Sequence, residues 1–521
     1  MKKATKNLPD DPLILKNIIA DKDQILSEKD RRIAALEEYI RLQNIRLFGA
    51  KSEKNPDQQE LFNEVELCVV AEEILTELAE EKAASSTVAD EQPKKPGRKP
   101  LPFDLPRIRI EHDIPESEKH CACGCMRTEI GEETSEQLDI IPAKIQVLVH
   151  VRKKYACKQC ESGITIAPLP AQPLPKSNAS PGLLAHVAIS KYQDALPLYR
   201  QETILQRAGV DLGRNTLANW MIKAGILIQP LLNLIQDQML SYPVLQCDET
   251  RVQVLKEPGK EPSSNSYMWV RVGGPPTRKM ILFHYASGRG GAVASELMAD
   301  YHGYLQTDDY GGYNAIGKDS KITQLGCWAH ARRKFIDAQK AIGKNKKSGK
   351  ATTAINLISK LYAIERRLRK SNVDEGEIYR VRQQEALPQL EKLRLWLDTT
   401  LHAVTPKGLL GKALSYLDKN WEKLTIYTQD GRLAIDNNGA ENAIRPFVVG
   451  RKNWLFSASV RGAKASANLY SLIETAKANG CEPYAYLRHV FAELPKVQTV
   501  EQIEALLPWN IPRLDRGVAA V

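Results

Sequence analysis

Three acidic positions, far apart in the chain, have the chemistry of divalent-cation ligands: Asp248, the adjacent pair Asp308 and Asp309, and Glu441. Phosphoryl transfer between nucleic-acid strands uses two such cations, one activating the attacking hydroxyl and one stabilising the leaving oxygen. Carboxylates suit Mg2+ because it prefers hard oxygen donors and keeps several waters. Each acid taken singly also has an ordinary explanation. Asp248 can simply end a strand, and Glu441 can pair with Arg445 one helical turn on.

A second chemistry is offered by sulfur. Of nine cysteines, five fall in 121–160, while Cys68, Cys247, Cys327 and Cys481 are scattered. An odd count with no secretory signal argues against a disulfide framework and for metal binding. Cys157-Lys-Gln-Cys160 is a clean CxxC knuckle. The first knuckle, Cys121-Ala-Cys123-Gly-Cys125, offers three thiols for two places, with His120 beside it. Cys121 and Cys123 are favoured, with Cys125 as the alternative. Two knuckles joined by a strand-like stretch predict a structural Zn2+ held by four thiolates. Cys327-Trp-Ala-His330 is a separate CxxH pair. Two ligands alone do not make a metal site, so a structural role is expected for it.

These residues need elements to position them. Residues 242–256, 266–274 and 279–287 read as three successive strands, followed by a short helix at 290–300. A fourth strand ends at LQTDDYGGY, and a fifth, ITQLGCW, leads into the helix AHARRKFIDAQKA. Asp248 then lies within the first strand and Asp308 and Asp309 at the end of the fourth, where successive side chains point to opposite faces. Glu441 opens a late helix. This order predicts an α/β core over 241–475, helices on both faces, with a basic helical insertion at about 336–425 and mostly helix over 436–479.

Upstream, 1–93 reads as helical. Ile19, Leu26, Ile33, Ile40 and Leu47 recur at seven, the seam of a short coiled coil or an oligomerisation arm. Residues 94–117 form a basic proline-rich linker whose Pro-Gly-Arg-Lys-Pro core resembles an AT-hook, a basic tip that enters the minor groove. Lys94, Lys95, Arg98 and Lys99 are its candidate DNA contacts. The zinc-finger segment is assigned to 118–170. Residues 176–240 follow as a helix-turn-helix-like segment, with a turn between Gly209 and Gly213. Its second helix presents Arg214, Asn215, Asn219 and Lys223 to phosphates or base edges. Residues 480–521 are expected to form a small C-terminal domain.

Charge points the same way. The chain of 521 residues carries +10 at pH 7. Residues 94–109 hold six Lys/Arg against one acid, and 332–370 hold thirteen against two. Such one-sided runs attract phosphate. Arg445, Arg451, Lys452 and Arg461 flank Glu441 and are candidates for gripping the phosphates around a scissile bond. No run of about 18 apolar residues is present, and the N-terminus lacks a signal-peptide pattern. A cytoplasmic protein without membrane contact is expected, nucleoid-associated when bound.

The stretches RLFGAKSEK (46–54), LPLYRQETILQRAGVDLGRNTLANWM (196–221), CDETRVQVL (247–255), LQTDDYGGYNA (305–315), GCWAHARRKF (326–335) and NNGAENAIRPFVVGRKNWLFS (437–457) run in order along the chain. They resemble the large transposase subunit of the bacterial insertion-sequence-sixty-six family. The resemblance implies a multidomain α/β protein: an N-terminal helical DNA-binding region, a zinc finger, an RNase H-like catalytic core and a small C-terminal domain. It maps the catalytic acids onto Asp248, Asp308 and Glu441, leaving Asp309 at a place that need not be acidic. It implies two Mg2+ (or Mn2+) ions, with DNA as partner: the element's ends and the target. Assistance by smaller proteins encoded by the same element and homo-oligomer formation belong to the same expectation. The irregular first knuckle departs from the family's CPxCG form. The rival readings are a DNA-binding regulator derived from an inactive transposase and a structure-specific nuclease on the same fold.

Overall fold

The computed structural model describes residues 145–156, 164–314, 316, 321–341, 349–371 and 373–512, with Arg109. The expected coiled coil, the basic linker with Lys94, Lys95, Arg98 and Lys99, and all five clustered cysteines lie outside these residues.

After a short antiparallel hairpin, β1 (Lys154–Ala156) with β2 (Ile164–Ile166), four helices follow. They are α1 (Pro181–Tyr192), α2 (Leu198–Arg207), α3 (Arg214–Leu227) and α4 (Gln229–Leu240). Gly209, at φ +80°, supplies the left-handed turn between α2 and α3. Glu202 then accepts the main-chain N–H of Arg214 at 3.1 Å, capping the start of α3. Leu217, Trp220, Met221 and Ala224 face the core. On the opposite side Arg214, Asn215, Asn219 and Lys223 are exposed.

The central sheet is mixed. β3 (Val244–Lys256), β4 (Asn265–Gly273) and β5 (Met280–Ala286) form an antiparallel meander. A short helix, α5 (Gly291–Leu297), leads to β6 (Gly303–Gln306), which pairs with β3 in parallel, and β7 (Ile322–Leu325) extends the sheet beyond it. The order is β5-β4-β3-β6-β7. The chain continues through α6 (Trp328–Ala341) into the helices α7 (Lys350–Ser371), α8 (Glu375–Val381), α9 (Leu387–Leu401), α10 (Leu409–Lys419) and α11 (Trp421–Thr425). These build a core of their own, with Phe335, Ile358, Leu393 and Leu414 among its members.

It returns in α12 (Asn438–Trp454), β8 (Phe456–Ser459) and α13 (Val460–Ala478). The stretch expected to be mostly helix thus contains a strand. Leu455, at φ +65°, ends α12 and turns the chain onto the far half of β3, where Gln253 pairs with Phe456. β3 outruns β6, and its exposed edge recruits these four residues. The closing helices are α14 (Pro483–Glu493) and α15 (Val500–Glu504); Tyr486, Leu487, Val490 and Phe491 share one core with Leu184 of α1 and the sheet.

Candidate functional site

The register of β3 against β6 brings two of the acids level. Leu245 pairs with Leu305 and Gln246 with Gln306. Two residues further on, in parallel, come Asp248 and Asp308. β6 itself ends at Gln306, so Asp308 and Asp309 belong to the loop beyond it, and strand alternation does not separate them as expected. Their partners do. Asp308 Oδ1 accepts the main-chain N–H of Tyr310 at 3.0 Å, whereas Asp309 pairs with Lys419 of α10 at 3.3 Å.

Three amides, two of them buried and that of Gln246 half-buried, hold the strand ends and the start of α12 together. Gln246 donates to Gln306 at 2.7 Å and to the Asp436 carbonyl at 3.0 Å. Gln306 donates to the carbonyls of Gly326 and Ala434 at 3.1 and 2.9 Å. Asn437 donates through its side chain to the Cys247 carbonyl at 2.9 Å and through its main chain to the Cys327 sulfur at 3.2 Å. Gly439 leaves room for this clamp, because a Cβ there would lie 1.9 Å from Gln246 Oε1 and displace that amide. This clamp delivers Glu441, in the first turn of α12, to the acid end of the sheet.

The charges sense one another. The Asp248 carboxyl is pushed up to about 7, first by burial and then by the negative charges of Glu249, Asp308 and Glu441. Glu249, also buried, is raised by burial; Arg289 and Tyr313 oppose this by bonding to it. Arg289 meets Glu249 at 2.6 Å and stacks on Tyr310 at 3.5 Å from the ring centre. Glu441 lies against two residues of α6, the Arg333 guanidinium at 3.5 Å and the His330 imidazole, whose protonation burial disfavours, at 3.7 Å, instead of the Arg445 pairing its spacing allows. Its Oε1 is buried without a hydrogen-bond partner, as is His330 Nδ1. Crowded carboxylates with an unpartnered oxygen fit a divalent cation, whose charge relieves the repulsion and whose preference is for oxygen.

The remaining candidates fall on both sides of the expectation. Arg445, Lys452 and Arg461 are exposed. Arg451 is not. It is buried and donates to Thr250 Oγ1 at 3.0 Å and to the Arg251 carbonyl, joining the end of α12 to β3. That correction has a simple cause: a long side chain one turn from a helix end reached a hydroxyl and a carbonyl on the neighbouring strand. Gln246, Gln306, Asn437, Glu249 and Arg289 were missed in the reading of the sequence. One signal for the first two was present. The motif Leu-Gln-x-Asp occurs twice, at 245–248 and 305–308, a polar residue amid apolar strand residues before each acid.

Residues 176–465 match the family described as "Transposase IS66 family", and 471–509 match its "IS66 C-terminal element". Residues 118–161 match a "zinc-finger binding domain of transposase IS66", and 35–110 match "Transposase C of IS166 homeodomain". Relatives from Sinorhizobium fredii include "Uncharacterized protein y4jD", 32% identical over 81% of this chain and 83% of its own length. A second, "Uncharacterized protein y4qI", is 32% identical over 92% of this chain and 89% of its own. No solved structure matches. Among the described residues no helix is long and apolar enough to cross a membrane.

Proposed function

The chain belongs to the IS66 transposase family, and from this premise we propose that it cleaves DNA at the ends of its element and joins the freed 3′-hydroxyl to target DNA. Asp248, Asp308 and Glu441 are the catalytic acids in this reading. The observation that carries it is the pairing of β3 with β6, which sets Asp248 level with Asp308, together with the burial and the neighbouring negative charges that raise the Asp248 carboxyl. A mixed sheet with three antiparallel strands, then two parallel ones, supports an RNase H-like core.

The three carboxylates would hold two Mg2+ (or Mn2+) ions, which supply Lewis-acid assistance to the attacking and leaving oxygens. The chain's own residues do the positioning. Asn437 and the glutamine clamp fix the carboxylates before DNA arrives, so little reorganisation is left for the reaction. Arg289, braced by Glu249 and Tyr310, is placed to contact a phosphate beside Asp308, whose charge it senses. Arg214, Asn215 and Asn219 on the exposed side of α3, with Arg445 and Lys452, make further DNA contacts. The cysteines at 121, 123 (or 125), 157 and 160 hold structural zinc in the segment matching the family's zinc finger. Smaller proteins of the same element and a second copy of the chain assist, in a cytoplasmic setting.

The deciding experiment incubates full-length protein with DNA carrying the element's ends, with and without Mg2+. The expected result is nicked ends and joined products, both cation-dependent. Binding without cleavage would replace this reading with a DNA-binding regulator, and cleavage without joining would replace it with a nuclease.

A further inference from the structure

Glu441 has two neighbours that carboxylate chemistry does not use. Cys327 immediately precedes α6, and its carbonyl accepts the N–H of Ala331, so thiol and His330 imidazole sit across the first turn of that helix. The Cys327 sulfur, a His330 ring nitrogen and a Glu441 oxygen all lie within 4.8 Å of one another. CxxH alone supplies two ligands; the fold adds a third from the distant α12.

The bonding inside this cluster is incomplete in a particular way. His330 Nδ1 and Glu441 Oε1 are buried and have no hydrogen-bond partner. They are 3.7 Å apart, too far to bond each other. Buried polar atoms almost always find a partner, so two facing orphans mark a place for a third atom. The Cys327 sulfur, by contrast, is already supported. It accepts the N–H of Asn437 at 3.2 Å and a further main-chain bond from His330. Amide donors and a helix start favour a thiolate, although in the metal-free chain burial pushes the thiol up to about 11. The side chains of His330 and Glu441 are 26% and 24% exposed, which leaves a path from solvent.

We propose that Cys327, His330 and Glu441 form a site for a soft divalent cation, with Zn2+ its natural occupant and water in the fourth position. Thiolate and imidazole select such an ion over Mg2+. On binding, the thiol proton leaves to solvent. The thiolate and carboxylate then match the two charges of the ion, while Arg333 stays beside the other carboxylate oxygen at 3.5 Å. Since Glu441 serves both cation sets, zinc occupancy withdraws that carboxylate from magnesium, and the two ions compete. The competition rests on the catalytic reading of Glu441; the binding does not.

Full-length protein titrated with Co2+ tests the binding. A variant carrying Cys157→Ser and Cys160→Ser, which removes the clean knuckle of the proposed finger, should retain a thiolate-to-cobalt charge-transfer band that added Zn2+ abolishes. Cys327→Ser should remove that band, and His330→Gln should weaken cobalt binding at least tenfold, with folding of each variant checked by circular dichroism. A spectrum unchanged by Cys327→Ser, or the absence of any thiolate band, overturns the site. A second arm follows end cleavage at fixed Mg2+ while Zn2+ is added, each variant compared with its own zinc-free rate. Inhibition relieved by excess Mg2+, and lost with Cys327→Ser, is expected. Zinc that binds through Cys327 without slowing cleavage overturns the competition alone. If the wild-type chain cleaves nothing, the proposed function fails, and the cobalt arm still decides the site.

Discussion

Two buried ionic clusters, one in the helical insertion and one at the acid end of the sheet, are built in opposite ways. In the insertion Arg382 lies with its side chain 2% exposed, and each of its five N–H groups has an acceptor at 2.8 Å. Two go to Glu365, the others to the carbonyls of Tyr427, Asp430 and Leu433. Nothing is left over for a ligand. At the sheet end, Asp248 is buried and feels the negative charges of Glu249, Asp308 and Glu441, and Glu441 Oε1 and His330 Nδ1 lack partners. A completed buried network holds a structure together; an incomplete one is stable only because the surrounding fold enforces it, and that is the mark of a site awaiting ligand.

The comparison breaks most visibly through activity. Asp248→Asn, Asp308→Asn and Glu441→Gln should each lower end cleavage by about a hundredfold to a thousandfold or more, the scale of losing several kcal/mol of transition-state stabilisation. DNA binding, measured in parallel, should survive. Retained cleavage in all three would mean that the incomplete cluster does no chemistry.

Next in size is the completed cluster. Arg382→Met should cost about 3–5 kcal/mol, because it strands Glu365 as an unpaired buried charge. Denaturant unfolding measures it, and replacing Glu365 by Leu in the same chain should recover much of the loss. A loss below about 1 kcal/mol would contradict the structural role assigned to Arg382.

The acid cluster should do the reverse in magnesium-free buffer. With the Asp248 carboxyl at about 7 and the unfolded value near 4, the folded chain between those values holds a proton that the unfolded chain has released. Stability therefore falls as pH rises through that window, and the penalty is complete above it. Asp248→Asn should raise the melting temperature at pH 8 by the equivalent of about 1–3 kcal/mol and change it little at pH 4. No difference between the two pH values would show that the carboxyl is not raised.

The smallest effect concerns Asp309. Its partner Lys419 is largely exposed, and such pairs contribute about 0–1 kcal/mol. Asp309→Asn should leave cleavage within about fivefold of wild type. A dead Asp309→Asn beside an active Asp308→Asn would move the assignment by one residue.

Much of the scaffold was legible in the residues. The alternation in 242–256 and the apolar runs in 266–274 and 279–287 located three strands to within a few residues, since side-chain burial on a sheet repeats at two. Gly209 and Gly213 marked the break between α2 and α3. By contrast FSAS, the sequence of β8, alternates over only four residues and leaves its apolar Phe456 and Ala458 exposed. It is a strand because β3 continues past β6 and offers unpaired main-chain groups there, a condition set by the neighbour's length.

Residue types and local spacing thus determined which chemistries were open to this chain: hard oxygen ligands, sulfur ligands, phosphate-attracting basic runs, and the strands and helices that carry them. Only the tertiary structure decided which of these groups meet. Arg451 went inward to the Thr250 hydroxyl and the Arg251 carbonyl while Arg445 stayed outside. Glu441 faced His330 and Cys327 across a gap of more than a hundred residues, through a clamp of amides at Gln246, Gln306 and Asn437. Local propensity acts between residues a turn or a pleat apart, whereas buried polar atoms bond wherever the packed core brings an acceptor within reach.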